Sequence, residues 1–243
     1  MITYSYISEN GGRPVNEDAV SVAKNGSDFC FTVCDGLGGH GCGDVASAET
    51  VKVFSELFEK TDLSAKDFFE RAYTEANARV FELQKADSAA FGMKTTVVSL
   101  CVSPDKCIWS HLGDSRLYCF EKNSVKTRTL DHSVPQMLVQ SKDIKEREIR
   151  NHPDRNKILR AIGTDEGKPS YKLSEEVSTA ECSAFLLCSD GFWELITEKR
   201  MCRALRKSKT AEEWLRRMRN VVLKKGENKN MDNFSAIAII VGK

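Results

Sequence analysis

The chain has 243 residues, of which 41% are hydrophobic and 29% charged, a composition that suits one large or two small globular domains and excludes a disordered chain. Its 36 basic and 35 acidic residues give a formal charge of +1, which excludes attraction to nucleic acid or an anionic membrane through a global field. The nine cysteines are never spaced as C-x-x-C and several lie in apolar runs, which favours buried thiols in a reducing compartment over a zinc site or a disulfide framework.

The first part of the chain is predicted to contain strands and then helices. MITYSYISENGG has no basic stretch followed by an apolar one, and no run approaches 18 apolar residues, so we expect a cytoplasmic protein without a membrane segment. Strands are predicted over 2–7, 19–23 and 29–34. Two amphipathic helices follow, from about Val45 to Lys60 and from a capping box at Ser64 and Asp67 to about Leu83.

The rest of the chain is predicted to form a meander, a flap and a closing strand. TTVVSLCV, CIWSHL, SRLYCF and VKTRTL are β-rich segments separated by turn signals. Residues 133–168 are polar and weakly helical, which is typical of a mobile surface flap. YKLSEEV and AFLLCS are predicted strands, helices are predicted over about 194–207 and 210–225, and FSAIAIIV is a final buried strand. With no repeat or linker, we expect a single domain over residues 1–243.

The loop after the third strand has the spacing of a dinucleotide-binding turn. Gly36, Gly38 and Gly41 follow an apolar strand in the pattern G-x-G-x-x-G. A dinucleotide-binding unit needs a second parallel strand after the first helix, whereas here a second helix follows. Asp35 would also repel a pyrophosphate unless a cation lay between them. The second helix and Asp35 therefore argue against dinucleotide binding and favour another function for this loop.

Three aspartates lie where predicted strands end or begin. Asp35 ends FCFTVC, Asp190 ends AFLLCS and Asp232 precedes FSAIAIIV. In an antiparallel sheet the end of one strand and the start of its neighbour share an edge, so these side chains can meet. Mg²⁺ and Mn²⁺ prefer oxygen ligands, and a two-metal hydrolytic site needs several carboxylates. Each aspartate alone is an ordinary turn residue, as is Asp114 in HLGDSRLY, so only their joint occurrence indicates a metal site.

A set of ordered motifs is more specific than any single aspartate. The motifs are GGRPVNEDAV, VCDGLGGHGCGDVAS, GMKTTVVSL, HLGDSRLY, LDHSV, HPDRNKILRAIGTD, LLCSDGFWELIT and MDNFSAIAII. Together they resemble the bacterial serine/threonine branch of the metal-dependent protein phosphatase family, type 2C, over about residues 4–241. The resemblance implies an α/β fold, a four-layer αββα sandwich in which helices flank two mainly antiparallel β-sheets.

The resemblance also implies a set of metal ligands. In the family, the aspartate matching Asp35 bridges two ions and the glycine matching Gly36 supplies a backbone carbonyl to one of them. Those matching Asp190 and Asp232 hold the other ion, and the one matching Asp114 helps to hold a third, weaker ion. The cofactors implied are two Mn²⁺ or Mg²⁺ ions with a weaker third.

Other residues are implied near these ions or near the substrate. Arg13 matches the arginine that binds phosphate, which a guanidinium can do with two parallel hydrogen bonds. Glu17 and Asp18, with Asn233 beside Asp232, are expected around the ions rather than on them.

Two candidates remain for the general acid that protonates the leaving alcohol: a water and a nearby histidine. Leu37 stands where some relatives have a histidine, and His40 is the nearby alternative. His111, His132 and His152 are expected to be structural.

The function implied is hydrolysis of phosphoserine and phosphothreonine in proteins by attack of a metal-bridging hydroxide. The expected partners are phosphorylated proteins and a cognate serine/threonine kinase, with no nucleic acid and no membrane, and we expect a monomer. Two alternatives share the fold: a catalytically silent phosphoprotein-binding module, and a hydrolase of small phosphomonoesters. The silent module is less favoured because every expected aspartate is present.

Overall fold

The structure, a computed structural model, describes residues 2–38, 42–227 and 230–242. Within these ranges the chain forms twelve strands and six α-helices. The strands are β1 (Ile2–Glu9), β2 (Asp18–Asn25), β3 (Asp28–Leu37), β4 (Lys94–Thr95), β5 (Val97–Val102), β6 (Lys106–Leu112), β7 (Arg116–Glu121), β8 (Ser124–Arg128), β9 (Lys172–Leu173), β10 (Val177–Ser178), β11 (Ala184–Cys188) and β12 (Phe234–Val241). The helices are α1 (Gly43–Lys60), α2 (Ala65–Ala86), α3 (Val134–Gln140), α4 (Asp190–Trp193), α5 (Glu198–Arg206) and α6 (Ala211–Gly226).

The strands form two antiparallel sheets. The first sheet has the order β1-β12-β11-β7-β8, and the second has the order β10-β6-β5-β3-β2, with β4 paired to β3 and β9 to β6. In the first sheet the last strand, β12, therefore lies between β1 and β11.

Three apolar clusters stack the elements into four layers. Phe185 and Ile237 of the first sheet pack against Phe31 and Val98 of the second in the middle cluster. The outer clusters bury the apolar faces of α1 and α2 on the second sheet and of α5 and α6 on the first. Because both faces of each sheet are covered, central strands such as β5 and β11 are buried along their whole length. The predicted αββα sandwich is confirmed.

The predicted helix starts are confirmed where capping residues were present. The Ser64 hydroxyl accepts a hydrogen bond from the Asp67 amide at 3.2 Å, and the Thr210 hydroxyl accepts one from the Glu213 amide at 3.1 Å. Two predictions of secondary structure differ from the structure. YKLSEEV is broken into β9 and β10 because its register against β6 shifts by one residue: Leu173 lies opposite Ser110, whereas Val177 lies opposite Cys107. The helix expected from about 194 begins at Glu198, and the short α4 precedes it.

The segment 133–168 lies first against the helices of the first sheet and then, near its end, against α2 on the second. It contains α3 and a 3₁₀ helix over Glu146–Asn151, and isolated bridges join Ser133 to Ile158 and Thr95 to Ile162. The Arg150 guanidinium donates to the carbonyls of Trp193 and Ile196, both at 3.2 Å. The role of the segment 133–168 as a flap stays a prediction. In the described part of the chain, no helix has the length and apolar character needed to cross a membrane.

Candidate metal centre

Asp35 is placed by β3 at the edge where the two sheets meet. It lies opposite Asp18 in the β2–β3 ladder. The Asp35 amide donates to the Thr96 hydroxyl at 3.1 Å, and its carbonyl accepts from the Thr95 hydroxyl and the Thr96 amide, both at 2.9 Å. With the backbone of Asp35 satisfied on both sides, its carboxyl group is held at the strand end.

Gly36 continues the strand through a gap that admits no side chain. A Cβ added at this position would lie 2.2 Å from the Gly43 carbonyl oxygen and 2.5 Å from that of Glu17. The Gly36 amide donates to the same Glu17 oxygen at 3.0 Å. The start of α1 therefore packs directly on the backbone of β3, and only glycine permits this approach.

Asp190 and Asp232 come from the first sheet. Asp190 begins α4 directly after β11, and Asp232 lies two residues before β12. A Cβ added at Gly191 would lie 2.1 Å from the carbonyl oxygen of Asn233, so the two segments touch along their backbones. Burial and the charge of Asp232 raise the pKa of Asp190 to about 6, against a hydrogen bond with Asp35 that lowers it. The three predicted strand-end aspartates are thus brought together.

Asp18 links the two sheets behind this group. Its Oδ2 accepts a hydrogen bond from the Ser189 hydroxyl at 2.7 Å, and the Ser189 hydroxyl in turn accepts from the Ser235 amide at 2.9 Å. Oδ1 of Asp18 is buried without a hydrogen-bond partner among the described residues. Burial raises the pKa of Asp18 to about 7, and the charges of Asp190 and Asp232 act in the same direction.

Asp114 lies deeper, in the turn between β6 and β7. It is 2% exposed, and its Oδ1 has no hydrogen-bond partner in the described part of the chain. Burial and the charge of Asp190 raise its pKa well above the usual range. The Trp193 indole donates to the Asp114 carbonyl at 3.0 Å, and the Arg116 guanidinium stacks 3.4 Å from the Trp193 ring. Asp114 is therefore fixed through its backbone, while Oδ1 of its carboxyl group is without a donor among the described residues.

A pocket of about 420 Å³ opens over these carboxylates. Arg13, Asp35, Asp190 and Asp232 line it, and Asn156 reaches it from the segment 133–168. Arg13 donates from Nη2 to Oδ2 of Asp232 at 3.1 Å, and both side chains are about half exposed. The predicted phosphate-binding arginine thus stands at the mouth of the pocket.

Glu17 and Asn233 border the pocket in different ways. Burial raises the pKa of Glu17, and the charges of Asp44 and Asp232 add to the effect. Oδ1 of Asn233 accepts from the Glu17 amide at 2.9 Å, while its Nδ2 donates to the carbonyls of Asn10 and Val15 at 3.0 and 2.9 Å. Asn233 therefore fastens the loop that carries Arg13 to the start of β12.

The chemistry of this pocket fits divalent cations. Burial and mutual repulsion raise the pKa values of Asp18, Asp35, Asp114 and Asp190, and two of their buried oxygens have no donor among the described residues. Like charges gathered away from water need a cation or a proton to offset them. Within the described ranges, no group of three or more His, Cys, Asp or Glu side chains is placed so that it could hold a metal ion as the side chains stand. The carboxylates are gathered as hard oxygen donors around a shared pocket.

One of the four histidines lies outside the described residues, and the other three contact the backbone. His40, the predicted alternative general acid, lies outside the described residues. His111 Nε2 lies 2.7 Å from the Leu130 carbonyl, His132 Nδ1 accepts from the Gly113 amide at 3.2 Å, and His152 Nδ1 accepts from the Asp154 amide at 3.1 Å. The last three hold turns of the backbone.

Sequence reasoning missed the residues that support the carboxylates. Ser189 holds Asp18, Thr95 and Thr96 hold the backbone of Asp35, and Trp193 holds that of Asp114. The hydroxyl residues within the motifs LLCSDG and GMKTTV were the available signal. Their partners were not predictable, because Ser189 and Asp18 are 171 residues apart.

Comparisons with known proteins identify the family and the fold of the chain. A family model described as protein phosphatase 2C matches residues 11–234. The serine/threonine phosphatase stp of Listeria monocytogenes serotype 4b is 30% identical over 204 residues, which cover 82% of this chain and 80% of that protein. The crystal structure of the serine/threonine phosphatase Stp1 from Staphylococcus aureus superposes with a TM-score of 0.92 at 26% identity, covering 100% of this chain and 96% of that one.

A further solved structure shares the fold. The catalytic domain of the serine threonine protein phosphatase PstP, in complex with two manganese ions, has a TM-score of 0.83 at 24% identity and covers 100% of this chain and 99% of that one.

Proposed function

The chain belongs to the protein phosphatase 2C family, and from this premise we propose that it is a metal-dependent serine/threonine protein phosphatase acting on phosphorylated proteins. Members of the family depend on metal ions. The single observation that carries the proposal is the convergence of Asp35, Asp190 and Asp232 in one pocket beside Arg13.

The residues of the pocket suit two divalent ions with a weaker third. Asp35 and the Gly36 carbonyl, with Asp190 and Asp232, would hold the pair, and Asp114 would help to hold the third. The bound manganese pair of the PstP structure supports a count of two. When bound, such ions neutralise the phosphate and activate water for in-line attack. Oxygen ligands admit both Mn²⁺ and Mg²⁺.

The side chains around the pocket then have separate tasks. Arg13 binds the phosphate, and two parallel N–H groups of its guanidinium can meet two phosphate oxygens. Ser189 and the β2–β3 pairing hold Asp18 in place, which keeps its carboxyl group behind the ligands. Asn233 keeps the Arg13 loop at the mouth of the pocket. The proton for the leaving alcohol comes from a water or from His40.

The remaining expectations accompany this proposal. We propose one catalytic domain over residues 1–243, in which the segment 133–168 acts as a flap and Asn156 of that segment borders the pocket. The substrates proposed are cytoplasmic phosphoproteins that a cognate serine/threonine kinase modifies, and the protein is proposed to act as a monomer without nucleic acid or a membrane surface.

Phosphate release from a phosphothreonine peptide tests the proposal. We expect turnover with Mn²⁺ or Mg²⁺, none after chelation, and a loss of at least about a hundredfold in Asp190→Asn, because the ligand's charge is removed while its size is kept. Asp105→Asn makes the same change at an exposed turn far from the pocket and should keep full activity. Turnover that survives chelation, or near wild-type turnover in Asp190→Asn, would refute the assignment. Faster turnover of p-nitrophenyl phosphate than of every phosphopeptide would favour a hydrolase of small phosphomonoesters.

A further inference from the structure

Three cysteines from three segments meet in the core between the two sheets. Cys107 lies in β6 of the second sheet, Cys119 lies in β7 of the first sheet, and Cys182 lies two residues before β11. The Cys119 and Cys182 sulfurs are 3.2 Å apart. Cys107 also contacts Cys182, and its sulfur lies 3.5 Å from the Val177 carbonyl oxygen. This cluster has no part in the proposed phosphatase chemistry.

The separation of Cys119 and Cys182 is short enough for a covalent bond to form with little movement. A disulfide has a sulfur–sulfur distance of about 2.05 Å, so the two sulfurs must approach by only about 1 Å. The two residues are held by neighbouring strands, since the Ser183 amide donates to the Phe120 carbonyl at 2.8 Å. The backbone therefore already holds the two thiols close together.

The cluster lies just beneath the surface. Cys182 is 4% exposed, and the side chain of its neighbour Glu181 is more than half exposed and pairs with Lys126 at 2.7 Å. The Cys30–Cys101 pair lies in the other core, beneath α1 and α2.

The three thiols are not equivalent as nucleophiles. Hydrogen bonds from Cys107 and Cys119 to the Cys182 sulfur lower the pKa of Cys182, and the positive charge of Lys126 acts in the same direction. The same contacts raise the pKa of Cys107 and of Cys119. Since the thiolate is the reactive form, Cys182 is the member of the cluster that reacts first.

We propose that Cys119 and Cys182 form a reversible disulfide when the protein meets a peroxide, which makes this cluster a modification site. The Cys182 thiolate attacks one peroxide oxygen, a sulfur–oxygen bond forms, the oxygen–oxygen bond breaks, and the leaving hydroxide takes a proton to become water. Cys119 then attacks the Cys182 sulfur, the sulfur–sulfur bond forms, and the oxygen leaves as a second water. Two thiols lose two electrons in all, and the peroxide gains them.

The bond would strengthen the fold without reaching the metal centre. It joins residues 63 positions apart and so closes a loop that contains the whole segment 133–168. Cross-linking restricts the unfolded chain, which raises the temperature of unfolding. Cys119 is five residues from Asp114, roughly 16 Å along an extended strand, so phosphate release should continue.

Peptide mapping of the whole protein under non-reducing conditions tests the proposal. The reduced protein is treated with equimolar hydrogen peroxide, and the remaining thiols are alkylated. We expect a Cys119–Cys182 cross-linked peptide that dithiothreitol removes, together with a higher unfolding temperature in the oxidised protein. Oxidation confined to Cys42 and Cys202, sulfinic acids without a cross-link, or a dominant Cys107–Cys182 product would each overturn the proposal.

Three variants separate the roles of the cluster. Cys119→Ser and Cys182→Ser should lose both the cross-link and the rise in unfolding temperature, whereas Cys107→Ser, a matched change in the same cluster, should keep both. A rise in unfolding temperature that persists in Cys119→Ser would count against this bond as its cause. Mapping of the wild-type protein remains decisive if a variant fails to fold. Phosphate release is measured separately, so its absence bears only on the proposed phosphatase activity.

Discussion

At the scale of single residues, Arg13 has two competing partners. In the structure its guanidinium pairs with Asp232, and the pair is half exposed, so solvent weakens it. A phosphate dianion in the pocket would carry more negative charge than the Asp232 carboxylate and would offer two oxygens to the Arg13 guanidinium. The ion pair is thus a resting contact that a substrate can replace, and it holds the guanidinium near the place where the phosphate is proposed to bind.

Removal of this side chain should weaken substrate binding more than the chemical step. A charge-assisted hydrogen bond contributes about 1.5–3 kcal/mol, so Arg13→Ala is expected to raise KM by about ten- to a hundredfold with a smaller change in kcat. Steady-state kinetics on a phosphothreonine peptide measures both quantities. Arg13→Lys keeps the charge without the paired N–H groups and should fall between wild type and Arg13→Ala. An unchanged KM in Arg13→Ala would contradict the role proposed for Arg13.

His132 makes stability depend on pH at a place outside the pocket. Its ring stacks on His111 with centroids 4.7 Å apart, and burial, with the charge of His111 adding to it, lowers the pKa of His132 to about 3. In the unfolded chain a histidine titrates near pH 6.5. Between these values the unfolded chain binds a proton that the folded chain does not, so the free energy of unfolding falls as the pH drops from about 6.5 towards 3.

His132→Asn should flatten that pH dependence. An asparagine oxygen can still accept the hydrogen bond from the Gly113 amide, but it does not titrate. Denaturant unfolding at pH 7 and pH 5 measures the change in the free energy of unfolding for each protein. The buried aspartates with raised pKa values contribute equally to both proteins, so the difference between them isolates His132. We expect the change from pH 7 to pH 5 to favour the folded state more in His132→Asn than in wild type. His152→Asn alters another histidine whose Nδ1 accepts a backbone amide and should resemble wild type, whereas equal changes in wild type and His132→Asn would argue against His132 as a source of pH dependence.

At the scale of elements, the sequence predicted best where a strand ends in a charged residue. The apolar runs that end at Asp35 and Asp190 are long enough to identify as strands, and antiparallel pairing brings their ends to one edge. Capping residues located the starts of α2 and α6 for a similar reason, since the signal lies within four residues. The family resemblance then assigned a role to each aspartate.

The parts that could not be predicted depend on contacts between distant segments. α4 is only four residues long and has no periodicity to read, and β9 and β10 are two residues each. The link from Ser189 to Asp18 exists only after both sheets are assembled. No local pattern encodes this contact, so the order of the motifs was informative while the support around them was not.

At the scale of the whole molecule, the proposed metal ligands come from both sheets. Asp35 belongs to the second sheet, while Asp190 and Asp232 flank strands of the first. Without a cation their charges repel one another across the junction between the sheets. A bound ion would remove this repulsion and join the layers, so metal binding should stabilise the fold as well as permit turnover.

Thermal unfolding with and without Mn²⁺ measures this coupling. A ligand that binds only the folded protein adds about 2.7 kcal/mol at a hundred times its Kd, so we expect the unfolding temperature to rise by several degrees as Mn²⁺ is added. Asp190→Asn should show a much smaller rise and, before metal is added, should be at least as stable as wild type because one repelling charge is gone. Asp105→Asn serves as the control. An equal rise in Asp190→Asn would place the stabilising ion elsewhere.

The position of β12 between β1 and β11 has a consequence for a chain emerging from a ribosome. β1 is made long before its pairing partner, Phe234–Val241, so β1 presents an unpaired edge until that strand has been made. Asp232, just before that strand, also reaches its place only then. A nascent chain that has not yet added β12 therefore lacks one of the proposed metal ligands, and the proposed activity has to await that strand.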